Sequence, residues 1–315
     1  MKRLFKGKAY CPYWLRYNHQ IFIANFFMSF FRLPKELSDP ATAKFLIQPV
    51  PYEGTVSFLK GTVNGPDAIL AVSDQVEHFD EELLFDMTQH GVATLPSIPP
   101  ANSPEEQFEL IYNTVRERNL FQRGRIPIFL GGEHSITPPI VRVAAEEYDE
   151  ISVLQFDAHA DLRDSYTGTR YSHGSAMRRS LEYTPNIVQV GIRSFSEEEV
   201  RDCPDQVKRF ITPMLLAGDY SFCLDQILHR LSKQVYISID IDAFDPAFAP
   251  GTGTPEPGGL SWREVTSILR RVCEEKNIVG IDVVEVAPLG GNNVVTEFTA
   301  ARLIGKLMAY TTKLP

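Results

Sequence analysis

From residue 44 onward, short apolar runs rich in β-branched residues alternate with longer stretches whose apolar positions recur at helical spacing. The runs are Lys44–Val50, Ile126–Leu130, Ile151–Asp157, Ile187–Gly191, Val235–Asp242 and Ile278–Val286. Their apolar positions are consecutive rather than alternate, which suits strands covered on both faces and therefore a parallel sheet. The stretches between them, 66–78, 104–121, 138–148, 220–233, 262–275 and 296–310, read as amphipathic helices. Thr137 before Pro138 reads as an N-cap with proline at the first helical position, and Ser261 before Trp262 opens a later helix in the same way. The alternation predicts an α/β fold, three α/β/α layers around a doubly wound, mostly parallel central sheet. No internal repeat, low-complexity tract or long linker divides the chain, so 41–315 reads as one domain behind an N-terminal extension over 1–40. The Gly/Pro-rich segment 246–259 reads as a long irregular loop after a strand, a place where α/β proteins often carry function.

The extension has its own pattern. Lys2, Arg3, Lys6 and Lys8 precede an apolar stretch, Ile21–Phe31, in an arrangement that imitates a secretory signal. Polar residues interrupt it (Asn18, His19, Gln20, Asn25), no small-residue cleavage site follows, and a bilayer span needs about 20 apolar residues. Met28 opens a segment, MSFFRLPKEL, suited to be a start, so residues 1–27 read as an over-extended start site. The aromatic run Phe26–Phe31 suits a subunit contact, an anchoring segment or a loose tail equally.

Composition narrows the function. Over 315 residues, 40 Asp+Glu against 31 Lys+Arg give a formal charge of −9, which argues against a nucleic-acid binder. The four cysteines, Cys11, Cys203, Cys223 and Cys273, are scattered and form no C-x-x-C pair, which argues against a disulfide framework or thiolate metal site and fits a reducing cytoplasm. Nothing suggests a membrane partner. Neither a dinucleotide or phosphate-binding glycine loop nor a G-x-S-x-G elbow is present.

Three polar clusters stand where strands end, the place where open parallel sheets bind ligands. They are Gly131-Gly132-Glu133-His134-Ser135, Asp157-Ala158-His159-Ala160-Asp161, and Ser238-Ile239-Asp240-Ile241-Asp242. In extended backbone alternate side chains share a face, so Asp157, His159 and Asp161 converge, as do Asp240 and Asp242. Four carboxylates and two imidazoles brought together without a cation would repel and desolvate one another at several kcal/mol each. A pair of divalent metals is the economical answer. A carboxylate-dominated, thiolate-free set suits Mn²⁺, with ions about 3.5–4 Å apart and an acidified water between them.

These motifs, with Pro250–Gly259 (PGTGTPEPGG), resemble the signatures of the ureohydrolase family of arginases, agmatinases and related amidinohydrolases, in order and spacing over about 45–310. Pro51-Tyr-Glu-Gly-Thr55, Lys60–Pro66, Gln75–Glu82 and Asp161–Tyr166 running to Tyr171-Ser-His173 are most similar to agmatinases. The resemblance implies an arginase-like fold and two Mn²⁺ per subunit, one on His134, Asp157, Asp161 and Asp240, the other on Asp157, His159, Asp240 and Asp242, with Asp157 and Asp240 bridging. It implies that His173 shuttles protons and that Glu285 grips the guanidinium, with Asp282 as the competing candidate on that stretch. Asp161 would also hand a proton to the leaving amine.

The implied reaction is hydrolysis of agmatine to putrescine and urea. Guanidinobutyrate, arginine and guanidine are the alternative substrates, Arg163 being placed to recruit a carboxylate unless Asp164 simply pairs with it. Outside this chemistry stand a catalytically silent regulatory homologue and a single-zinc deacetylase. A small guanidino substrate is the implied partner, and the resemblance implies a homo-oligomer, trimer or hexamer.

Overall fold

The computed structural model describes residues 28–212, 215 and 220–313; the reading of 1–27 as an over-extended start lies outside them. Ten strands are described: β1 Phe45–Val50, β2 Phe79–Asp80, β3 Phe85–Asp86, β4 Val92–Thr94, β5 Ile126–Gly131, β6 Ile151–Phe156, β7 Asn186–Ile192, β8 Val207–Ile211, β9 Gln234–Asp240 and β10 Asn277–Val284. Eight of them form one parallel sheet in the order β4-β1-β5-β10-β9-β6-β7-β8, while β2 and β3 pair antiparallel apart from it.

The main helices are α1 Gly65–Ser73, α2 Pro104–Glu117, α3 Thr137–Glu147, α4 Ala176–Ser180, α5 Glu197–Arg201, α6 Tyr220–Arg230, α7 Trp262–Glu275 and α8 Val295–Lys313. Alternate strand residues feed two cores. Ile126, Ile128 and Leu130 of β5 and Val235, Ile237 and Ile239 of β9 pack with α1, α6, α7 and α8 on one face. Phe129 and Tyr236, from the same strands, pack with α2, α3 and α4 on the other. This is why the interior strands carry unbroken apolar runs.

The three-layer α/β/α fold with a parallel sheet is as expected, but two strands of that sheet, and the β2–β3 pair outside it, escaped the sequence pattern. At one edge β4 has three residues; at the other β8 is half-buried with Lys208 exposed, so neither has the apolar run of an interior strand. The expected Thr137 cap is also corrected. A 3-10 turn, His134–Ile136, runs straight into α3, and the Thr137 hydroxyl turns instead to Asp282 Oδ2 at 2.8 Å. Ser261 does cap α7, in a reciprocal pair with Glu264.

Phe30 and Phe31 are buried in the first core, held through their backbone N–H groups by Thr94 Oγ1 and Ser73 Oγ. Phe26 and Phe27 lie outside the described residues. Cys203, Cys223 and Cys273 carry free thiols. Among the described residues, no helix is long and apolar enough to cross a membrane.

Candidate metal centre

β5, β10, β9 and β6 are consecutive neighbours at the middle of the sheet, and each delivers candidate side chains from its carboxyl end. His134 follows β5, Glu285 follows β10, Asp240 ends β9 with Asp242 just beyond, and Asp157, His159 and Asp161 follow β6. The convergence expected from extended backbone is achieved differently. β9 stops at Asp240 and a 3-10 turn, Ile241–Ala243, swings Asp242 round, with its N–H donating to Asp240 Oδ1 at 2.9 Å. After β6 the chain leaves the strand, and Asp161 sits in the left-handed region at φ 53°. Glu285 does too, at φ 62°, and backbone strain of this kind concentrates at functional sites.

The side chains form two groups that share Asp157. In the first, His134 Nδ1 lies 3.1 Å from Asp157 Oδ2, 3.3 Å from Asp161 Oδ2 and 3.5 Å from Asp240 Oδ2. In the second, His159 Nδ1 lies 3.0 Å from Asp242 Oδ2 and 3.7 Å from Asp157 Oδ1. Asp157 thus turns one oxygen to each group, the disposition of a bridging ligand. Asp240 joins the first group through Oδ2, and its Oδ1 accepts from the Asp242 N–H just as Asp157 Oδ1 accepts from the His159 N–H at 2.6 Å.

The His134 ring tests whether a cation fits. Its Nε2 meets Ser238 Oγ at 2.8 Å, and the Ser238 hydroxyl donates to Asp282 Oδ1 at 2.7 Å. With its one hydrogen committed there, Ser238 can only accept, so Nε2 carries the imidazole proton. Nδ1 is buried with no hydrogen-bond partner, facing three carboxylate oxygens at ion-pair distance but out of hydrogen-bond alignment, and although burial opposes charge on the ring, Asp157, Asp161 and Asp240 raise His134 well above its ordinary range. Three buried carboxylates converging on one ring nitrogen demand positive charge at that point, a proton on Nδ1 or a metal in its place, so the residues present fit a metal.

Electrostatics agree. Burial and the neighbouring Asp157 push Asp161 up to about 7, and burial with Asp242 and Asp157 drives Asp240 well above the carboxylate range. Burial alone would also raise Asp157, but His134 and His159 against its two oxygens hold it low. Burial opposes charge on His159, yet Asp242 and Asp157 raise it to about 12. Oxygen and imidazole donors without thiolate suit a divalent metal ion.

The surrounding residues hold this arrangement. Asp282, the competing candidate, is fully buried and accepts from Thr137, Tyr236 and Ser238; it anchors the ring behind His134 and does not line the cleft. Glu285 does line it, with Oε1 accepting from the His134 N–H at 2.8 Å; burial and Glu133 raise its carboxyl well above the usual range. The Gly131-Gly132 pair lets chains approach closely, since a Cβ on Gly132 would lie 2.0 Å from the Tyr52 carbonyl.

His173 stands at the cleft, its Nδ1 3.1 Å from Thr55 Oγ1 and its Nε2 3.3 Å from Ser57 Oγ. The Thr55 hydroxyl donates to Glu133 at 2.7 Å, so the His173 proton sits on Nδ1 and Nε2 accepts from Ser57. Burial, with the charge of His134 and His159, lowers His173 to about 4. Asp164 pairs with Arg179 at 2.6 Å, not with Arg163, which stacks 4.8 Å from the Tyr166 ring and lies 3.8 Å from Glu199.

The cleft, of about 300 Å³, runs from Asp240 and Glu285 past His173 to Phe58, Arg163 and Phe195. Sequence reasoning missed Ser57, Phe58, Phe195 and Glu199 in its wall, and Arg193, whose guanidinium donates to the carbonyls of Gly191, Asp242, Phe244, Glu256 and Pro257 and so pins the loop that carries Asp242 and Gly253. No local motif marks these positions.

A parallel α/β sheet with two aspartate-linked ligand groups at its carboxyl edge and a carboxylate facing them defines a metal-assisted hydrolase of the amidine type. Comparisons with known proteins agree. The family model of the arginase family matches residues 43–310. N(1)-aminopropylagmatine ureohydrolase of Thermus thermophilus is 40% identical over 83% of this chain and 88% of its own, and the agmatinase of Pyrococcus horikoshii 34% over 84% and 91%. The crystal structure of agmatine ureohydrolase from Thermoplasma volcanium superposes with a TM-score of 0.77 at 33% identity, over 86% of this chain and 91% of that one. The chain belongs to the arginase family, as an agmatinase-like ureohydrolase acting on C–N bonds of amidines.

Proposed function

We propose that this protein hydrolyses agmatine to putrescine and urea with two Mn²⁺ per chain, His134, Asp157, Asp161 and Asp240 holding one ion and Asp157, His159, Asp240 and Asp242 the other. The observation that carries the reading is Asp157, which turns one oxygen to each group while His134 Nδ1 has no hydrogen-bond partner. When bound, the metals supply electrostatic activation of water and of the tetrahedral centre.

The chain's own residues do the rest. Glu285, with Oε1 fixed by the His134 N–H, turns its other oxygen to the guanidinium and orients its planar carbon, an effect worth several kcal/mol. Water adds to that carbon through its oxygen, both of its protons pass by way of Asp161 to the alkyl-bearing nitrogen, and the bond from the carbon to this nitrogen breaks, leaving urea and the protonated amine. Neutral His173, with Nε2 toward Ser57 and the cleft, exchanges protons with solvent. The reading includes a cytoplasmic homo-oligomer, trimer or hexamer, which the family resemblance supports.

A second substrate, N(1)-aminopropylagmatine, is favoured by the name of the Thermus relative, and both present the same guanidino end. Urea release with Mn²⁺ from agmatine, N(1)-aminopropylagmatine, arginine, guanidinobutyrate and guanidine in parallel separates the readings. Turnover of agmatine above the rest is expected, and Glu285→Gln should slow it about 100-fold or more while the metals stay bound. Preference for N(1)-aminopropylagmatine, arginine, guanidinobutyrate or guanidine would refute the agmatine assignment.

A further inference from the structure

Two buried glutamines and a half-buried arginine that the site does not explain lie side by side across the sheet. Register pairs Gln155 of β6 with Gln189 of β7, and Gln189 with Arg209 of the edge strand β8. Both glutamines are fully buried and sit within otherwise apolar strands. Arg209 Nε donates to Gln189 Oε1 at 3.1 Å, Gln189 Nε2 donates to Gln155 Oε1 at 2.6 Å, and Gln155 Nε2 donates to Asp157 Oδ2 at 2.7 Å. The chain ends on the oxygen of Asp157 that faces His134.

Its direction is forced. A guanidinium can only donate, so Arg209 fixes the oxygen of the Gln189 amide toward itself and its nitrogen toward Gln155. That in turn fixes the Gln155 nitrogen toward Asp157. The remaining amide hydrogens find carbonyls of the same ligand loop: Gln189 Nε2 donates to Ala160 at 2.6 Å and Gln155 Nε2 to His159 at 3.4 Å. The array therefore grips the loop at three points, one of them the shared ligand itself.

We infer that Arg209, Gln189 and Gln155 are positioning residues that hold Asp157 and the Asp157–Asp161 loop in the metal-binding geometry, with Arg209, two strands away, setting the orientation of both amides. This rests on the reading that the site holds manganese. Partners that orient a metal's ligands typically change affinity 10- to 100-fold when removed.

The test is Mn²⁺ affinity by titration calorimetry on the full chain, with the thermal stability of the metal-free proteins alongside. Gln155→Leu is expected to weaken binding about 10- to 100-fold and Arg209→Met about tenfold. In the double variant, Arg209→Met should add clearly less to Gln155→Leu than it costs alone, because only the Gln189–Ala160 bond is then left for it to act through. A general loosening of the sheet would instead add fully. Additive effects, or native affinity in Arg209→Met, would overturn the inference. If Gln155→Leu fails to fold, Gln189→Glu takes its place in the cycle, with the same expected loss and non-additivity. Failure of the native chain to bind Mn²⁺ would instead strike the function proposed above.

Discussion

At the scale of the residue, His173 carries a consequence that can be measured without substrate. Burial and the nearby charge of His134 and His159 lower it from 6.5 to about 4, so the native state resists a proton that the unfolded chain accepts. The unfolded state binds more protons below pH 6.5, and stability is lost as pH falls from 6.5 toward 4. Bound metal, adding positive charge, acts in the same direction. Unfolding free energy of the native protein should therefore fall more steeply across that window than that of His173→Asn, by up to about 1.4 kcal/mol per pH unit. Parallel curves in chemical denaturation would show that His173 is not held neutral. The candidate ligands were readable at this scale because they come in contiguous motifs; Asp157, His159 and Asp161 need only one turn of chain to meet. Gln155, Gln189 and Arg209 were not, since nothing local relates them and only sheet register makes them neighbours.

At the scale of the element, the loop over 246–259 is shaped from outside itself. Arg193 reaches across from the segment after β7 and donates to carbonyls on both sides of the loop, including those of Asp242 and Glu256. Replacing it leaves several carbonyls short of a charged donor, each such bond contributing about 1.5–3 kcal/mol. Arg193→Met is expected to lower stability by about 2–4 kcal/mol in urea denaturation and to speed proteolytic cleavage within 246–259. A variant with native stability and native cleavage rate would show that the loop holds its own shape. The composition of 246–259 announced a loop, but its anchor sits about 50 residues upstream. The edge strands β4 and β8 were equally silent, because β4, though buried, is only three residues long and β8 is half-buried, so neither shows the apolar run that marks the interior ones.

At the scale of the molecule, the sheet order places β5, β10, β9 and β6 side by side, and the four together supply every ligand candidate and Glu285. Strand apolarity foretold the layers, while the order of strands came only from the structure. The acidic excess of −9 includes Asp157, Asp161, Asp240 and Asp242, four carboxylates gathered at one point, which is charge arranged for cations rather than for solubility alone. The central claim is that two metals share Asp157, and the number of manganese ions retained per chain after dialysis against Mn²⁺ tests it most directly. The account predicts two for the native protein, about one for His159→Ala, and none for Asp157→Ala. One ion or none in the native chain, or two retained by Asp157→Ala, would contradict it.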